Sequence, residues 1–142
     1  GFVADAAIRQ MIEAGMAPRK ATVVVLGITF KENCPDTRNS KVADIINRLR
    51  EYDIQPVVTD PWADAEVARH IYDVDLVPFE ELPKADCVIV AVGHNQFRSL
   101  SMMQLKELFK AELPDGEKVL IDVKSLYRMD ELKASGMRFW RL

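Results

Sequence analysis

Glycine and cysteine are scarce in this chain, and each shortage excludes something. Only 6 of 142 residues are glycine, and neither a G-x-G-x-x-G string nor a Walker-type loop occurs. Both common glycine-rich phosphate cradles are therefore missing. The two cysteines lie in unlike surroundings, Cys34 in a polar loop before Pro35 and Cys87 in the apolar run 87–92. They are too few for a zinc site, a disulfide between them is not expected, and the cytosol is the natural compartment. No stretch reaches the roughly 18 apolar residues of a membrane helix, and the opening residues carry no basic start with a long apolar segment, so no signal peptide is read. Basic residues are not in excess either: the formal net charge is −3. That argues against a nucleic-acid surface, while leaving room for a local basic pocket that takes one small phosphorylated ligand.

What is present is apolar and regularly interrupted. Hydrophobic residues make up 49% of the chain, enough for one domain with one core. Val3, Ala7, Ile8, Met11 and Ile12 share a helical face that ends near Gly15. Residues 22–26 form a continuous β-branched and aliphatic run, the mark of a buried central strand. A loop over 27–35 follows, then a helix capped by Asn39 or Ser40, with Val42, Ile45, Ile46 and Leu49 as its apolar stripe. Further strands are expected at 55–59, 74–77, 86–92, 118–122 and 137–140, with helices at 63–71, 100–109 and 129–134. Strands that alternate with helices imply parallel crossovers. The expected architecture is a three-layer α/β/α domain with an open, doubly wound parallel sheet in the order 3-2-1-4-5. Such sheets bind ligands beyond the carboxyl ends of their strands, where the order reverses. That singles out the loops 27–40 and 93–98.

The loop 27–40 carries the chemistry. Lys31 and Arg38 stand at the binding edge with a helix N-terminus behind them; two cations and oriented backbone N–H groups suit a diphosphate. Phe30 offers a flat face to a base or sugar, and Asp36 can orient Arg38. Taken as an arbitrary loop, the same residues read as solvated charges, a turn acid and a core aromatic. Their order decides between the two readings. Phe30, Lys31, Asp36, Arg38 and Ser40 stand in the register F-K-x(4)-D-x-R-x-S after a strand and Gly27, which resembles the signature of the UDP-glucose/GDP-mannose dehydrogenase family in its C-terminal, UDP-binding domain. The resemblance runs on through Thr59-Asp60-Pro61, Ala85-Asp86, His94-x-x-Phe97 and Ile121-Asp122. Lys31 to Asp36, with Asn39-Ser40-Lys41, is most similar to the UDP-N-acetylglucosamine and UDP-N-acetylgalactosamine 6-dehydrogenases of surface-polysaccharide synthesis.

That resemblance implies a Rossmann-like fold and a role in two successive NAD-dependent oxidations, which take the C6 alcohol of a nucleotide sugar to a carboxylate. Residues 1–20 would be the end of a linker helix from a missing central domain, and 21–142 the UDP-binding domain. Phe30 and Lys31 would contact the UDP-sugar. Arg38 would reach across an interdomain cleft to the NAD phosphates. Lys124, after the fifth strand, would take the place of the family's basic residue near uridine or phosphate. NAD itself, the nucleophilic cysteine and most of the homodimer contact belong to domains outside these residues. Neither Cys34 nor Cys87 is expected to be catalytic, and this stretch alone should be inactive. The lack of an initiator methionine, with a helix under way almost at once, fits a boundary inside a longer protein.

Other candidates have plainer readings. His94 is either a ligand hydrogen-bonding group or a loop histidine bonded to backbone; the second is favoured. Phe97 reads as core, His70 as a surface residue late in a helix, and Asp60 as a turn cap before Pro61 rather than a ribose-binding acid. The principal alternative function is a free-standing, non-enzymatic nucleotide-binding or regulatory α/β module, to be told apart by the upstream reading frame. A receiver-like or flavodoxin-like domain is weaker, because no paired acids follow the first strand.

Overall fold

A computed structural model describes residues 2–142. Five parallel strands form its sheet: β1 (Val23–Leu26), β2 (Val57–Thr59), β3 (Cys87–Val90), β4 (Val119–Asp122) and β5 (Arg138–Arg141), in the order β2-β1-β3-β4-β5. The registers pair Leu26 with Thr59 and Val90, and Val90 with Asp122, so the carboxyl ends of four strands finish level with one another. The three central strands are buried along their whole length, which explains why they read as unbroken apolar runs rather than alternating ones.

Alternate residues of those strands face two separate cores. Val23, Val25, Cys87, Ile89, Val119 and Ile121 pack against α1 (Phe2–Glu13) and α2 (Val42–Glu51). Val24, Leu26, Val88, Val90 and Leu120 face the other way, onto α4 (Asn95–Arg98), α5 (Met102–Lys106) and α6 (Met129–Ser135) through Phe97, Leu105 and Leu132. This is the expected three-layer α/β/α arrangement. The helix α3 (Ala65–Tyr72) links β2 to β3; Asp64 caps it by accepting from Glu66 N–H and Val67 N–H.

Several details depart from the sequence reading. The stretch 93–98, expected as a loop, contains α4, the helix expected at 100–109 is confined to α5, and Ile12 of α1 is exposed. The segment 74–77, expected as a third strand, forms no ladder; Val77 N–H reaches Val58 O at 2.9 Å and the chain leaves the edge. A neighbouring Pro78 has no N–H with which to extend the pairing. The edges are therefore β2 and the C-terminal β5, while the strands common to both orders keep their expected neighbours. At α2, the residue at the cap position is Lys41; Ser40 stands one place earlier, its Oγ accepting from Val42 N–H at 3.2 Å.

Candidate functional site

The chain reverses at the boundary between β1 and β3: β1 leads by way of α2 to β2 on one side, and β3 leads by way of α4 and α5 to β4 on the other. Such a parting leaves a crevice over the strand ends. Here it opens as a cleft of about 800 Å³. Its floor is Ala91, Val92 and Gly93 after β3; its walls are residues 29–32 after β1, the start of α2, Val123 and Lys124 after β4, and the first residues of α1. Four cations line it, Lys31, Lys41, Arg98 and Lys124, against two carboxylates, Glu32 and Asp44. A chain with a net charge of −3 thus presents a locally positive pocket, in which an anion is attracted by several charges at once.

Of the residues singled out in the sequence, Phe30, Lys31 and Lys124 are brought together on this cleft. Phe30 is 49% exposed, and the Lys31 ammonium lies 5.8 Å from its centroid. The pair gives the cleft a flat apolar face beside a positive charge. Arg38 does not line the cleft. It is exposed and turned onto Asp36, Nε to Oδ1 at 3.1 Å. The guanidinium holds the Asp36 carboxyl below its usual range.

The helix start contributes less than the sequence suggested. The first N–H groups of α2 are already engaged: Val42 N–H by Ser40 Oγ, Ala43 N–H by Ser40 O and Asp44 N–H by Lys41 O. The expected donors for a diphosphate are used within the turn, so attraction for an anion rests on the side chains. Arg98, Lys41 and Glu32 line the cleft but were not among the ligand residues expected from the sequence. Arg98 falls in the loop 93–98 that the fold argument marked, but its tie to Glu32 (Nη2 to Oε2, 3.2 Å) joins residues far apart in the chain.

The loop after β1 is held by buried polar groups. Asp60, at the end of β2, accepts from Trp62 N–H (2.8 Å) and Ala63 N–H (3.0 Å) with one oxygen. With the other it accepts from Ile28 N–H at 2.7 Å and Thr29 N–H at 3.2 Å. It is the turn cap read from the sequence and also the anchor of a second loop. Burial works against its charge, but the hydrogen bond from His94 and the N–H groups of Ile28 and Trp62 outweigh that and keep the carboxyl below its usual value. His94 is wholly buried; it bonds to backbone as expected, at Asn33 N–H, and reaches Asp60 as well. Downstream, the Tyr72 hydroxyl accepts from Ser40 N–H at 3.1 Å and donates to Thr37 O. Phe97 is core, and Cys87 is fully buried, its thiol pushed far up by desolvation. Both cysteines are free. Among the described residues no group of His, Cys, Asp and Glu could hold a metal ion.

Residues 24–129 match the model of the UDP-glucose/GDP-mannose dehydrogenase family, UDP binding domain. A UDP-N-acetyl-D-glucosamine 6-dehydrogenase of Pseudomonas aeruginosa is 39% identical over 94% of this chain and 30% of its own length. The Protein CapL of Staphylococcus aureus is 38% identical over 99% of this chain and 32% of its own length. The chain thus spans about a third of the relatives it matches. Among solved structures, a UDP-D-ManNAc dehydrogenase from Pyrococcus horikoshii superposes with a TM-score of 0.77 at 20% identity, over 99% of this chain and 29% of that one, a likeness of fold.

Proposed function

This chain belongs to the UDP-glucose/GDP-mannose dehydrogenase family, as its UDP-binding domain, and from that premise we propose that it is the UDP-sugar-binding part of an NAD-dependent nucleotide-sugar 6-dehydrogenase. The observation that carries the reading is the meeting of Phe30, Lys31 and Lys124 on one positively lined cleft over the strand ends. Lys31 and Lys124 supply point charges to the diphosphate, and Phe30 supplies an apolar face to the sugar or base. The cleft is not enclosed, as suits a ligand shared with another domain.

The sugar that fits the UDP-N-acetyl-D-glucosamine 6-dehydrogenase likeness is a UDP-N-acetylhexosamine, taken from C6 alcohol to uronic acid for polysaccharide precursors. NAD, when bound, accepts hydride in this chemistry. The residues here offer it little: the glycine fingerprint is absent and Gly27 is the only glycine of the loop 27–40. Arg38, free of the cleft, is the group assigned to the NAD phosphates. Residues 1–20 would be the end of a linker helix from a central domain that carries the catalytic cysteine and much of the homodimer contact. On this reading the chain binds UDP weakly and oxidises nothing by itself, and the enzyme works in the cytoplasm.

Calorimetric titration of the chain with UDP tests the reading. Binding that weakens with added salt, and that GDP or UMP reproduces less well, supports it. No heat at millimolar UDP would remove the nucleotide role.

A further inference from the structure

The segment 28–33, which carries Phe30 and Lys31, hangs from a buried histidine–aspartate pair. At its start, Asp60 Oδ2 accepts from Ile28 N–H and Thr29 N–H. At its end, His94 Nδ1 accepts from Asn33 N–H at 2.8 Å. The same Asp60 oxygen lies 3.0 Å from His94 Nε2, and neither side chain is exposed to solvent. A ring nitrogen that accepts an N–H bond holds no proton, so the hydrogen of His94 sits on Nε2 and points to Asp60. Thr29 Oγ1 lies 3.1 Å from that nitrogen and donates to Lys31 O at 2.9 Å.

Asn33 adds two further links. Its side chain exchanges hydrogen bonds with Asn95, Nδ2 to Oδ1 at 3.2 Å and Oδ1 from Asn95 N–H at 2.9 Å. Its φ of 55° is left-handed, a conformation that asparagine tolerates better than most residues and that needs outside support to persist. The Trp62 ring lies beside the pair, its centroid 6.3 Å from that of the imidazole, and its Nε1 donates to Gln96 Oε1.

We propose that His94, locked as the Nε2–H tautomer by Asp60, is a positioning residue of the nucleotide site. Its Nδ1 fixes Asn33, and with it the stretch that holds Phe30 and Lys31 on the cleft wall before any ligand arrives. His94 itself touches no ligand, since it does not line the cleft. A wall ordered in advance spares binding the entropy of ordering it. The inference rests on the nucleotide reading of the cleft.

Two substitutions separate this role from plain structural support. In His94→Asn the amide oxygen lies near the position of Nδ1 and keeps an acceptor for Asn33 N–H. In His94→Gln the amide reaches the position of Nε2, keeps Asp60 partnered and loses that acceptor. Calorimetry of this chain with UDP should show His94→Gln weakened about tenfold or more and His94→Asn within about threefold of the parent, with similar losses of Tm. Equal weakening of both variants, or of neither, overturns the proposal. The ligand-free chain gives a second readout. Nitrogen NMR should show the proton of His94 on Nε2, and His94→Gln should speed amide exchange at Asn33. The opposite tautomer, or unchanged exchange, also overturns it. A parent chain that takes up no UDP sinks the nucleotide reading separately, while the tautomer and the exchange rate still decide whether His94 holds the loop.

Discussion

Gly27 leaves β1 against the backbone and side chain of Val92, so closely that a Cβ on Gly27 would stand 2.6 Å from the Val92 Cβ. Its φ of +100° is one that L side chains rarely adopt. The two constraints coincide because the loop after β1 must turn across the end of β3 before it can form the cleft wall. Gly27→Ala meets both and should cost about 2–4 kcal/mol. Chemical denaturation measures it; an unchanged midpoint would mean that the approach of the two strand ends is looser than described.

Lys31 and Arg38 are both exposed cations of one loop, yet only Lys31 lines the cleft. Lys31→Ala should raise the Kd for UDP about tenfold or more, the usual scale for a charge-assisted hydrogen bond. Arg38→Ala should leave that Kd within about twofold. Neither should move stability by more than about 0.5 kcal/mol, as for other surface substitutions. In the full-length enzyme the effect of Arg38→Ala should fall on the KM for NAD. Equal loss of UDP affinity in both variants would place Arg38 on the nucleotide instead.

Asp60 links stability to pH. Its carboxyl is held below the ordinary value in the folded chain, so the charged form favours folding. The stabilisation is complete above the unfolded value of about 3.9 and is lost as pH falls through the lower folded value. Asp60→Asn turns an N–H donor towards groups that already donate, and should cost about 2–3 kcal/mol at neutral pH. Below pH of about 4 the parent should lose stability more steeply than the variant. Parallel acid-unfolding curves would contradict this.

Tyr72 secures the far half of the loop through one hydroxyl, which accepts from Ser40 N–H and donates to Thr37 O. Tyr72→Phe keeps the ring and should cost about 1–2 kcal/mol. Amide exchange at Ser40 should quicken, whereas that at Asn33, held by His94, should not. If both amides respond alike, the two halves of the loop are one cooperative unit.

Much of the fold was legible in residue order. The runs 22–26, 86–92 and 118–122 are apolar on both faces because helices cover both faces, and they became the buried centre of the sheet. The stripe Val42, Ile45, Ile46 and Leu49 became the buried side of α2. The run 74–77 misled because it has a strand's composition without a strand's partner: β2 offers it a single hydrogen bond before Pro78 turns the chain away. At the site, the loop of Phe30 and Lys31 could be marked in advance because loops at the parting of a parallel sheet open on one edge, whereas Lys124 was singled out only by the family resemblance; all three line the cleft.

The sequence by itself determined the alternation of strand and helix, the turn at Gly27 and the cations of the loop, since each depends on residues near one another in the chain. Only the tertiary structure decided that Asp60 and His94 form one buried pair, that Arg98 ties to Glu32 over Gly93, and that Arg38 turns away from the pocket towards Asp36. The first two join groups separated by more than thirty residues. Directed polar bonds of that kind exist only once hydrophobic burial has fixed the strands in register, so no local pattern announces them.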